Sequence, residues 1–312
     1  MKEYRALFGP IAIVLLVLAG MRWSPFEPHR LPVDPSGAPG HTVSWADEDW
    51  AVFESTVRWA LDARLDTLSI GEVMAEIGRS FVGTPYVPRT LEVEGPERLI
   101  INFQGLDCVT FVENVFTLAR FVKSDMVGQL ADRAGIEGEY ERGLRALRYR
   151  NNRIDGYPSR LHYFSDWIGD NELKRLLLDI TQELGGIEDL SPIYFMSTHA
   201  DAYRQLSDPA NVEAIRVTEA RLTASGRYVI PQSEIAAVAH RILNGDIIAV
   251  TSTVDGLDVA HTGLALWVDG TLRLLHAPLV GDAVQISAVS LAERIQRIDG
   301  QNGIIVARPL EG

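Results

Sequence analysis

Cysteine is nearly absent: Cys108 is the only one in 312 residues, so no disulfide forms within the chain. Positive charge is short as well. Lys and Arg number 29 against 42 Asp and Glu, a net charge of −13 at pH 7 with no basic cluster. Such a chain lacks a cationic face for nucleic acid or anionic lipid. No His-Glu-x-x-His or comparable ligand spacing is present, which leaves a metal hydrolase built on His162, His199, His261 and His276 without support; no metal or other cofactor is expected. Internal repeats are missing, and low complexity is confined to one Pro-rich stretch.

With 46% hydrophobic residues, the chain can bury a sizeable core as one large domain or two small ones. Lys2 and Arg5 precede an apolar run over residues 7–20 and Arg22 closes it, short for a membrane span and suited to a signal-peptide core. Neither an Ala-x-Ala site nor a lipid-accepting cysteine follows. Residues 1–23 are therefore read as a signal peptide or an uncleaved anchor, with export to the periplasm or cell envelope and membrane contact only if the segment stays. Pro25, Pro28, Pro32, Pro35 and Pro39 make residues 24–43 an extended tether. Residues 44–312 form the catalytic domain. An exported chain that keeps one thiol keeps it despite oxidation, which points to chemistry.

Cys108 opens an amphipathic run in which Val109, Val112, Val115, Phe116 and Ala119 share a helical face, with Gly105 and Asp107 as loop and N-cap. A thiol in the first turn meets unpaired amides and the positive end of the helix dipole, both of which favour a thiolate. Upstream, Ser44 can cap a helix over 44–63, and Ser69 with Glu72 forms a capping box for a helix over 70–81. Downstream, Ser159 can cap a helix through Trp167, and the segment from Arg160 through His162, Tyr163 and Ser165 has the mixed aromatic and polar character of a substrate wall, though core packing fits it too. Residues 176–184 fit helix or strand, 192–196 a strand, 211–222 a helix, and 233–243 a helix capped by Ser233. Strands follow at 247–251, 260–268, 271–276, 283–286 and 303–307. Helices first and strands later predict an α+β domain with an antiparallel sheet.

Asp269-Gly270 between two apolar strands is a hairpin turn that sets Gly263 opposite His276. Period-two alternation then puts His261, Gly263 and His276 on one face, the histidines a diagonal pair roughly 7–8 Å apart at the backbone. A nucleophile, a base and a group that orients the base make a site for acyl transfer. Cys108 attacks, His261 moves the proton and His276 fixes the tautomer of His261. His29 and His41 belong to the tether, and His240 to a surface helix.

With these residues the chain resembles the NlpC-like cell-wall cysteine hydrolases of papain-like fold, and more closely their N-acetylmuramoyl-L-alanine amidase-like branch. The matching segments are Gly83-Thr84-Pro85-Tyr86, Leu106-Asp107-Cys108-Val109-Thr110-Phe111-Val112-Glu113, Gly156-Tyr157 through Trp167, Gly245-Asp246-Ile247-Ile248, Val259-Ala260-His261-Thr262-Gly263 and Leu275-His276-Ala277, with Ser159-Arg160-Leu161-His162-Tyr163-Phe164-Ser165-Asp166-Trp167 the run more specific for the branch. The resemblance implies a papain-like fold with the nucleophile helix packed on the sheet that carries the histidines. It implies Tyr86 as an oxyanion partner beside the Cys108 amide, and Asp107 as a substrate-binding residue that in related endopeptidases grips a free amine. Peptidoglycan or muropeptides are the implied partner. The bond between N-acetylmuramic acid and L-alanine is the first expectation. The γ-D-glutamyl to diamino-acid bond is the alternative, and a non-catalytic binding module a third. Cys108 and His261 are 153 positions apart, more than in compact members, so residues 160–167 are expected to build walls those lack.

Overall fold

A computed structural model describes residues 45–124 and 132–311; the expected export segment, the tether and the Ser44 cap lie outside them. Helix α1 (Asp47–Asp62) starts from Ala46, which offers no side-chain cap, and the acidic first turn of Asp47, Glu48 and Asp49 complements the dipole instead. Asp49 also accepts the Phe103 N–H at 2.7 Å, pinning the loop that leads to the cysteine. In α2 (Ile70–Ser80) the Ser69–Glu72 capping box forms as its spacing dictates. Helix α3 (Cys108–Val122) is buried on nearly every side after its first turn, so its face is set by neighbours rather than by water.

Beneath α3 lies a buried ion pair. Glu113 meets Arg148, the last residue of α4 (Arg133–Arg148), at 2.7 Å, and both side chains are 2% exposed. Arg148 Nη1 and Trp167 Nε1 satisfy further acceptors at Ile100 O and Glu113 Oε1. Pairing of this quality is what lets the charges stay buried.

Helix α5 (Phe164–Leu173) starts at Tyr163, not at Ser159, whose hydroxyl turns back to Gly156 O in a 3-10 turn. Its uncapped start is served from a distance: the Ser165 N–H donates to Asp258 Oδ2 at 2.9 Å. Residues 176–184 resolve into strand β1 (Leu177–Asp179), and β2 (Ile187–Asp189) follows. The expected strand over 192–196 is instead a loop entering α6 (Phe195–Thr198), because the N–H groups of Tyr194 and Phe195 both turn to Gly256 O. Helix α7 (Pro209–Ser225) is capped by Asp208. The expected helix over 233–243 is only α8 (Ile235–Val238) and a 3-10 turn, since Ser233 bonds the Glu234 side chain and caps nothing.

Strands β3 (Arg227–Pro231), β4 (Ile247–Ser252), β5 (Val259–Val268), β6 (Thr271–His276), β7 (Gln285–Ile286) and β8 (Gln301–Pro309) complete an antiparallel sheet of order β2-β3-β8-β4-β5-β6-β7, with β1 also on β8. The fold is thus α+β. Leu264 pairs with Leu275 and Val268 with Thr271, the register that the Asp269-Gly270 turn sets; both turn residues take positive φ, as a type I′ turn requires. Alternation gives two cores. Ile247, Ala249, Leu264, Leu266, Leu275 and Ile305 face α1–α5, while Ile248, Val250, Ala265, Leu274 and Ile304 face Leu291 and Ile295 of α9 (Leu291–Arg297). A third cluster of Tyr157, Tyr163, Phe195, Met196, Leu206 and Ile215 forms the wall beside the cysteine. No described helix is long and apolar enough to cross a membrane.

Candidate active site

Asp107 places the cysteine. Its carboxylate accepts the Thr110 N–H and hydroxyl at 2.8 Å each, while Thr110 Oγ1 accepts the Asp107 N–H at 2.9 Å, so the chain turns into helix exactly one residue before Cys108. The sulfur faces the N–H groups of Cys108, Val109 and Thr262. Those amides pull the thiol pKa down, yet burial and the Asp107 charge outweigh them and push it up to about 12. Desolvation thus works against the thiolate that the helix start favours.

The candidate base, His261, lies on β5. A bulge between Val250 and Thr251 shifts the β4–β5 register where residues 259–261 pass the cysteine, and bulges re-aim side chains in this way. His261 and Cys108 line one cavity of about 150 Å³. His261 Nε2 lies 2.7 Å from His276 Nδ1, and the rings meet edge to face with centroids 4.9 Å apart. Gly263 makes this possible, for a Cβ there would sit 2.8 Å from His276 Cβ. Both histidines are held neutral. Burial lowers His261 well below the usual range, with His276 and Arg294 adding to it, and lowers His276 to about 3, again with Arg294.

The remaining expected site residues divide by position. Tyr86 stands within electrostatic reach of Cys108 and Asp107, its segment bridged to Leu106. His162 and Tyr163 line the cavity, although the Tyr163 hydroxyl is committed to Glu219 Oε1 and the Met196 N–H. Arg160 is 5% exposed and ion-paired with Glu92 and Glu97, so it props the wall from within. Ser165 lines a separate cavity of about 310 Å³ with Arg150, Asp166 and Arg221. His199 packs on Phe195 and lines neither cavity. The sequence reading omitted Tyr203, Met196, Leu257 and Asp258 of the cysteine cavity and the cation Arg294 near the histidines. Asp258 alone carried a signal, as an acid at the mouth of the His261 strand. Among the described residues no group of three or more His, Cys, Asp or Glu side chains is arranged to hold a metal ion.

The arrangement is suited to amide hydrolysis, and comparison with known proteins agrees. A family model for N-acetylmuramoyl-L-alanine amidase-like proteins matches residues 76–304. The chain is similar to the crystal structure of an N-acetylmuramoyl-L-alanine amidase from Bacteroides uniformis, 34% identical, over 78% of this chain and 99% of that one, with TM-score 0.71. A Bacteroides fragilis protein named for a proposed xylanase activity is 37% identical over 74% of this chain and 98% of its own, TM-score 0.69. A Legionella pneumophila protein of the DUF1460 family, 21% identical over 85% and 95% of the two chains, shares the fold at TM-score 0.60. The search of curated proteins found no match. On the family match, which covers most of the chain, and on the fold it shares with these structures, the protein belongs to the N-acetylmuramoyl-L-alanine amidase-like family.

Proposed function

We propose that the protein is an exported peptidoglycan amidase that hydrolyses the bond between N-acetylmuramic acid and L-alanine with Cys108, His261 and His276, in a papain-like, NlpC-type arrangement. The observation that carries this reading is the 2.7 Å contact between His261 Nε2 and His276 Nδ1 beside the cavity that Cys108 shares with His261. Thiol and imidazole are both neutral at rest, so proton transfer accompanies attack. His261 Nδ1 takes the thiol proton as the sulfur bonds to the lactyl carbonyl carbon. Amides at the start of α3, with Tyr86, receive the oxyanion. His261 then gives its proton to the L-alanine nitrogen, the C–N bond breaks, and a thioester remains. Water loses a proton to His261, attacks the thioester, and the returning proton restores the thiol. His276 Nδ1 accepts from His261 Nε2–H throughout.

Export rests on the pattern of residues 1–23, and the tether 24–43 would let domain 44–312 reach its substrate. The test is mass spectrometry of defined muropeptides with the wild type and Cys108→Ala. Intact stem peptide from the wild type alone is the expected product. A sugar still carrying L-Ala-γ-D-Glu would move the assignment to the endopeptidase, and no product from either protein would favour a binding module.

A further inference from the structure

We propose that His162 is a specificity-determining residue whose Nδ1 accepts the N–H of an acylamino group carried by the substrate beside Cys108; the proposal rests on the amidase reading and names the group on the sugar side. His162 Nε2 lies 2.9 Å from Tyr157 O, and a carbonyl only accepts, so Nε2 carries the hydrogen. Nδ1 is then a bare acceptor. It has no partner among the described residues and is not sealed off, while the residue lines the cysteine cavity.

The ring is held in place. It packs on Tyr157 with centroids 4.3 Å apart, and the guanidinium of Arg160 lies 5.0 Å from the other ring's centroid, fixed in turn by Glu92 and Glu97. Arg160 thus serves the site by propping His162.

The rest of the lining selects the ligand. Met196, Leu257 and Val259 are apolar. Asp258, the carboxylate in the lining, has its oxygens taken by the N–H groups of Ser165 and Val259 at 2.9 and 2.7 Å. The charges of Arg160 and Arg150 act against a cation beside His162, so a neutral N–H donor suits Nδ1 better than an ammonium. An acylamino group fits both surfaces, its N–H on Nδ1 and its small acyl cap on Met196 and Leu257. The acetamido group of N-acetylmuramic acid is that group.

The test measures binding to the full-length Cys108→Ala protein by calorimetry, using N-acetylmuramoyl-L-alanyl-D-isoglutamine and its de-N-acetylated counterpart. The acetylated ligand is expected to bind about tenfold more tightly, the weight of one hydrogen bond and its desolvation. Adding His162→Phe should reduce that preference, and His162→Gln should restore part of it. Equal binding by Cys108→Ala, binding of neither ligand, or a preference unchanged by His162→Phe would overturn the proposal. Nitrogen-15 NMR of the His162 ring needs no variant at this position: an unprotonated Nδ1 that shifts with the acetylated ligand supports it, and a protonated Nδ1 sinks it. Products of the wild type judge the amidase reading separately, since a cut inside the stem would displace the bond assignment and leave the ligand preference to be read by itself.

Discussion

His261 and His276 touch through Nε2 and Nδ1 at 2.7 Å, with ring planes at 82°. For His261 to receive a proton at Nδ1, its Nε2 must already carry one and donate it to His276. In the proposed mechanism His276 is thus a neutral acceptor, where a carboxylate stands in a Ser-His-Asp triad.

Removing that acceptor should disorder the base while leaving the nucleophile in place. His276→Ala is expected to lower kcat/KM by about 10²–10³, with a milder loss for His276→Asn, whose carbonyl can accept. Steady-state hydrolysis of a muropeptide checks it, and equal losses for the two variants would argue against the tautomer role.

The acid limb of activity should lie below the ordinary histidine range, because His261 is held well below 6.5. Stability runs the same way. The unfolded chain takes up protons on both histidines below about pH 6.5, whereas His276 resists until about 3. Its contribution is whole above pH 6.5 and is lost as pH falls from there toward 3, at roughly 1.4 kcal/mol per pH unit as an upper bound. Urea midpoints at pH 7.5 and 4.5 should converge in His276→Gln.

A thiol pushed up to about 12 is not a ready thiolate. Alkylation by iodoacetamide should be slow at pH 5 and rise with pH through the alkaline range. A rate already at its plateau near pH 5 would instead reveal a preformed thiolate–imidazolium pair.

Gly263→Ala places a Cβ at 2.7 Å from Leu275 O and 2.8 Å from His276 Cβ. Backbone and ring cannot both yield, so a loss of about 1–3 kcal/mol is expected together with a fall in kcat as the histidines separate. Thermal melting and hydrolysis rates measure the two effects.

Arg148→Met strands the Glu113 carboxylate beneath α3, and a loss of about 3–5 kcal/mol is expected. Arg148→Met with Glu113→Leu should recover much of it. A double-mutant cycle by urea denaturation reads the coupling, and additive losses would show that the pair is not coupled.

Where chemistry was local, the residues themselves determined the outcome. Ser69 and Glu72 are three apart, Asp107 and Thr110 likewise, and each pair caps the helix that its spacing allows. Asp269-Gly270 fixed the hairpin register, and with it the shared face of His261 and His276, because a two-residue turn leaves one pairing open to the flanking strands. Elsewhere spacing misled. Pro192 to Met196 has the composition of a strand but finds no strand partner, since the amides of Tyr194 and Phe195 are taken by Gly256 O and those of Ile193 and Met196 by the Thr223 and Tyr163 hydroxyls, all distant in the chain. Ser159 ends a 3-10 turn and Ser233 falls one residue before Glu234, from which α8 begins, so neither hydroxyl stands at an N-cap. Tertiary packing also decided the burial of Cys108, which pushes its thiol pKa up, the burial of Arg160 and the cavity wall of Met196, Tyr203 and Leu257. Those depend on desolvation and on neighbours from distant segments, and a linear pattern of side chains carries neither.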